Sequence, residues 1–287
     1  MGGCCKGNRQ GESRAAKAMQ KAKAKIVKPI AKALAVAPVL KPIEVDFITF
    51  LSQKRNEPIS KIQNEYLGAR RIYNTPSSAF KKYRDSIANM NAVVFGYSNH
   101  TGLNAHYRAL EAWWMLRFVG YSHNPEYCNL VAKLPDQVFK ALGRLPNTIL
   151  DYGCGASIWS YQLAKAGGHK PKIYLLDIPG IPREFAKWRL ENIGCRVDTI
   201  DVTDKHPNPS PLPLVDVCIA WSVLEHLLDP VDATNNIMSS INYGGVLYAY
   251  LGEWKPEALH VNARSEEIKK LVLTKFNDLS GWIYKRK

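Results

Sequence analysis

The chain has 287 residues, 46% of them hydrophobic, which suits one large domain or a catalytic domain with an extension. No run of 18 apolar residues occurs, so no membrane-spanning helix is expected, and the basic first 25 residues lack the apolar core of a secretory signal. The formal net charge is +14, and residues 1–41 alone carry eight Lys and two Arg against the single acid Glu12. Segment 1–43 is therefore a basic, Ala/Lys-rich tail, expected to be disordered or partly helical. Lys17, Lys21, Lys25, Lys28 and Lys32 recur every three to four residues and would form one basic stripe on a helix that Pro29 breaks or kinks. Such a tail is a candidate arm for nucleic acid or an anionic membrane surface. Segment 44–146 lacks strand alternation and reads as a helical cap region. Runs 107–119 and 129–142 have helical apolar spacing, with Tyr107, Trp113 and Trp114 an aromatic group in the first of them.

From residue 147 the pattern alternates. Strands are expected near 148–151, 172–177, 196–200, 215–221 and 245–251, and helices near 157–167, 182–193, 231–240 and 264–276. Short connections between them imply right-handed crossovers and a mostly parallel α/β sheet with helices on both faces. After the last helix only residues 277–287 remain, room for one strand. The six cysteines form no Cys-x-x-Cys, and Cys154, Cys195 and Cys218 fall in expected strands or turns, as reduced cysteines of a cytoplasmic protein would.

The run Thr148-Ile-Leu-Asp-Tyr-Gly-Cys-Gly-Ala-Ser157 reads as an apolar strand, an acid, a glycine turn and a helix start. Gly153 and Gly155 let a ligand lie against the main chain, and Asp151 places a carboxylate at the strand end. A second apolar strand, Lys172-Ile-Tyr-Leu-Leu-Asp177, also ends in an acid. An acid some 20-odd positions past a glycine turn is where nucleotide-type folds grip ribose hydroxyls.

These residues resemble the first motifs of the class I S-adenosylmethionine-dependent methyltransferases, a Rossmann-like fold. Asp151, Gly153 and Gly155 match the acidic-x-Gly-x-Gly form, with Ser157 where a third small residue commonly sits. Asp177, the segment around Asp201-Val202, the run 215–230 and the turn and strand 242–250 match the later motifs in order. The resemblance implies S-adenosyl-L-methionine as cofactor, Asp177 on the ribose, Asp201 on the adenine amine with Val202 on the ring, and Trp221 near the methionine end. It also implies an in-line methyl transfer in which alignment supplies much of the rate. A hydroxyl acceptor needs a base, and Glu225-His226 lies just past the fourth strand on the acceptor side, with His260 a further candidate. Some small-RNA 2′-O-methyltransferases bind a metal through a Glu-x-x-Glu-His run and a later His. Here Ser222 replaces the first Glu, so no metal is expected. The resemblance thus points to methyl transfer onto an oxygen of a small molecule. A nucleic-acid methyltransferase of the RNA 2′-O type and a non-catalytic cofactor-binding module tethered by the tail remain open.

Overall fold

A computed structural model describes residues 40–73, 124–252 and 264–287, with the side chains of 69 and 71–73 excepted. The basic tail, the aromatic run 107–119 and His260 lie outside the described residues. The elements in chain order are α1 (Pro42–Arg55), α2 (Ile59–Tyr73), α3 (Pro125–Leu142), β1 (Thr148–Tyr152), α4 (Ile158–Ala166), β2 (Lys172–Asp177), α5 (Ile181–Asn192) and β3 (Arg196–Asp201). They continue with β4 (Val215–Ala220), a 3₁₀ turn (Leu224–His226), α6 (Pro230–Ser240), β5 (Ile241–Ala249), α7 (Ser265–Lys275), β6 (Phe276–Asp278) and β7 (Ile283–Arg286).

Among the described residues seven strands form one sheet in the order β3-β2-β1-β4-β5-β7-β6. Strands β1 to β5 are parallel, and β7 runs antiparallel to both of its neighbours. Successive strand residues face opposite sides of a sheet, so the two faces bury different residues. Ile149, Ile173, Val217, Ile219 and Tyr248 meet α3, α4 and α5 through Leu134, Val138, Leu163, Ala186 and Leu190. Leu150, Leu176, Cys218 and Leu247 meet α6 and α7 through Ile237, Met238, Ile268 and Val272. All six residues of β4 are buried, as a central strand covered on both sides requires. Fully burying each large aliphatic side chain stabilises the fold by about 1.5–3 kcal/mol before entropy is counted.

Helix α3 belongs to this sheet core. Its start is fixed by Pro125 and by Asn124, whose side chain accepts the Glu126 and Tyr127 N–H groups at 2.9 and 3.1 Å. Helix α1 packs instead against α5, with Phe47 and Phe50 placing their rings 5.1 and 5.5 Å from Phe185, and α2 packs against α1. Between α1 and α2 the fully buried Glu44 accepts a hydrogen bond from the Tyr66 hydroxyl at 2.7 Å.

Two expectations about the sheet need correction. Residues 276–286 supply both strands of an antiparallel pair, so this edge is complete. Helix α7 passes into β6 without a loop, and Asp278 Oδ1 accepts the Ser280 and Gly281 N–H groups at 3.0 and 2.5 Å. Gly281 takes φ 79°, the left-handed geometry that closes so short a hairpin. Strand β5 also begins earlier than expected. Val215 pairs with Ile241 and Val217 with Val246, so the Tyr243-Gly244 stretch bulges out of the ladder.

Candidate functional site

Strand order reverses between β1 and β4, since β2 lies on one side of β1 and β4 on the other. In open α/β sheets the crevice outside the carboxyl ends at such a point is the binding position. The glycine turn after β1 sits there, pinned to the end of β2. The Gly153 and Cys154 N–H groups donate to the Leu176 carbonyl at 2.8 and 3.2 Å. Gly155 N–H donates to Asp177 Oδ2 at 2.7 Å, and Ile178 N–H donates to Asp177 Oδ1 at 2.7 Å. Asp177 is half-buried, and burial raises its pKa against the pull of those two N–H groups. Each carboxylate oxygen keeps lone-pair capacity beyond its one N–H bond.

Gly153 has φ 67°, and a Cβ there would lie 2.3 Å from Cγ2 of Val223. The loop after β4 therefore closes directly onto the glycine turn, and a side chain at 153 would part the two.

Asp151 points beneath the turn. It is buried, and its Oδ2 accepts the Ser157 and Ser160 hydroxyls at 2.5 and 2.6 Å. Burial pushes its pKa up to about 7, with the two hydroxyl bonds opposing the rise and the neighbouring Asp177 charge adding to it. Ser157 itself holds φ 50° at the start of α4. This clasp ties β1 to the first turn of the following helix.

Asp177 and Asp201 are register partners at the ends of β2 and β3. The Val202 N–H donates to the Asp177 carbonyl at 3.1 Å. Asp201 is exposed and forms an ion pair with Arg183 of α5 at 2.7 Å. Arg183 also donates to the Asp177 and Ile200 carbonyls at 2.9 and 3.2 Å.

Past β4, Trp221 enters an aromatic cluster. Its ring stacks on Tyr248 at 5.1 Å and 17°, and lies 4.8 Å from Trp159 and 5.9 Å from Trp282. Tyr248 covers one face of the indole. The Tyr248 hydroxyl is buried without a hydrogen-bond partner among the described residues, and burial raises its pKa. Ser222 follows with φ 52°, an uncommon conformation for a residue with a side chain. Glu225 is buried in the 3₁₀ turn, and His226 Nε2 lies 4.0 Å from its Oε1.

The structure thus joins Asp151, Gly153, Gly155, Asp177, Asp201 and Val202 through β1, β2, β3 and their bonded ends. It ties the loop carrying Trp221, Glu225 and His226 to them through Val223. Sequence reasoning missed Ser157 and Ser160 as partners of Asp151, and it missed Arg183. The spacing of Ser157 and Ser160 on one helical turn was the available signal for the first pair, whereas Arg183 gave none. Among the described residues no group of three His, Cys, Asp or Glu side chains could hold a metal ion.

No family model matches the chain. It is 29% identical over 113 residues to the ubiquinone biosynthesis O-methyltransferase of Actinobacillus pleuropneumoniae, covering 38% of this chain and 47% of that enzyme. It is 26% identical over 134 residues to the enzyme of the same name from Vibrio vulnificus, covering 46% of this chain and 56% of that one. The match thus spans about half the length of these relatives. In three dimensions it is similar to an O-methyltransferase family protein from Burkholderia thailandensis, with TM-score 0.54, 13% identity, and coverage of 95% of this chain and 96% of that one. Sheet order and these likenesses give the chain a Rossmann-like α/β fold similar to that of S-adenosylmethionine-dependent O-methyltransferases.

Proposed function

We propose that the chain is an S-adenosylmethionine-dependent methyltransferase acting on an oxygen of a small-molecule acceptor. The observation that carries this reading is the Asp177 carboxylate, locked to the glycine turn by the Gly155 N–H at the switch point of the sheet. The residues fit an adenosine-type group. Asp177 has acceptor capacity left for two ribose hydroxyls, a charge-assisted grip. Asp201, its register partner, is one residue pairing away to accept the adenine amine, with Val202 against the ring. Gly153 admits Val223 against the turn, the Gly155 N–H holds Asp177, and Asp151 holds the turn from beneath.

The bound cofactor would supply a methyl carbon activated by an adjacent sulfonium. The chain's own work is alignment, exclusion of water and removal of the acceptor proton. Trp221, the first residue past β4, is the candidate ring for the sulfonium cation. His226, placed past β4 beside the buried Glu225, is the candidate base, and His260 a second one. The relatives named above act in ubiquinone biosynthesis as O-methyltransferases, which supports oxygen as the accepting atom. No described helix is long and apolar enough to cross a membrane. Cys154, Cys195 and Cys218 are buried free thiols, consistent with a cytoplasmic protein.

Titration calorimetry with S-adenosylhomocysteine, followed by transfer of a labelled methyl group to metabolite and nucleic-acid pools, tests the reading. Binding and label on a small hydroxyl compound are expected. A folded chain that binds no S-adenosylhomocysteine refutes it.

A further inference from the structure

Resting on that reading, one arrangement identifies what sets base selectivity. Asp177 and Asp201 are direct register partners on adjacent parallel strands, so both carboxylates leave the same side of the sheet. Like charges so opposed destabilise a strand pair. Arg183, near the start of α5, bridges both strand ends. One nitrogen, Nη1, donates to the Asp177 carbonyl at 2.9 Å and the Ile200 carbonyl at 3.2 Å, and lies 2.7 Å from Asp201 Oδ1. The Arg183 side chain is only 10% exposed, whereas that of Asp201 is 57% exposed.

We infer that Arg183 is a positioning residue that fixes the Asp201 carboxylate for an amine-bearing base and thereby sets selectivity for adenosine over inosine. The guanidinium occupies Oδ1 of Asp201 and leaves Oδ2 as an acceptor of fixed direction. Adenine presents an N–H donor at the exocyclic position, which Oδ2 accepts. Hypoxanthine presents a carbonyl oxygen there and meets a carboxylate with no proton to share. Freed of Arg183, the exposed Asp201 turns toward water and away from its Asp177 neighbour, and both attraction and rejection fade. Lysine replaces this grip only in part, because its ammonium rides on a flexible stem, whereas the planar guanidinium holds Nη1 in one place.

The test compares S-adenosylhomocysteine with S-inosylhomocysteine by calorimetry on the full chain, as parent, Arg183→Met and Arg183→Lys. The parent prefers the adenosine compound. Arg183→Met weakens S-adenosylhomocysteine binding about 10- to 100-fold, the range for losing charge-assisted bonds. It loses much less for the inosine compound, so the preference ratio falls, and Arg183→Lys lies between. Should Arg183→Met not fold, Arg183→Lys alone carries the test through the same ratio. A purely structural role would weaken both compounds equally, and an unchanged ratio in a folded variant overturns the inference. Failure of the parent chain to bind either compound overturns the functional reading and this inference together.

Discussion

Asp151 gives the fold a pH signature that substitution can isolate. Burial lifts this carboxyl from its ordinary 3.8 to about 7. Between those values the folded chain holds a proton that the unfolded chain has released. Stability therefore falls as pH rises through the window. A shift of about three units at 1.36 kcal/mol each amounts to ~4 kcal/mol across the whole range. Both serine hydroxyls bond to the same oxygen, Oδ2, so an amide oxygen in that place keeps both bonds. Asp151→Asn thus mimics the protonated acid at every pH. Urea unfolding of both proteins from about pH 4.5 to 8 compares them while other titrating groups cancel. The stability of Asp151→Asn relative to the parent should climb by roughly 1.4 kcal/mol per unit up to about pH 7 and then level off. A stability difference that does not change with pH would refute the argument.

Other outcomes follow from the same site. Gly153→Ala should lose about 2–4 kcal/mol, because its Cβ meets Val223 Cγ2 at a left-handed φ. Adding Val223→Ala should return part of that loss, measured as a non-additive double-mutant cycle. Asp177→Ala should fold and bind S-adenosylhomocysteine about 2–3 kcal/mol more weakly by calorimetry, the scale of lost charge-assisted bonds. His226→Ala should keep cofactor affinity and lose about 10²–10⁴ in turnover if it is the base, a deficit that narrows as pH rises and the acceptor ionises unaided. Unchanged turnover would leave alignment as the main source of rate.

The central strands were legible because burial on both faces demands apolar runs, as in Lys172-Ile-Tyr-Leu-Leu-Asp177 and the wholly buried β4. The final hairpin was not, because β6 and β7 have three and four residues and too little alternation to register as strands. The glycine turn was legible as a pattern, but a pattern does not give the direction of a side chain. Nothing in the motif says that Asp151 turns down to two serines while Asp177 turns toward Gly155. The pattern also leaves open what fills the space beside Gly153, and the answer, Val223, lies 70 residues along the chain. Arg183 was invisible for a related reason. Its three acceptors belong to the ends of two strands, one of them 17 residues on, and only the assembled sheet brings them within one guanidinium's reach.

The sheet order has a consequence for synthesis. β7 leaves the ribosome after β6, yet it lies inside the sheet, between β5 and the earlier-made β6. Until residues 283–286 arrive, β5 presents Val246, Leu247 and Tyr248 along an unpaired edge. An apolar edge of this kind is a template for pairing with another chain. Translation proceeds at about 5–20 residues per second, so the exposure is brief but recurs in every molecule made. A chain stalled or cut before Ile283 keeps that edge open, and it should aggregate where the full chain does not.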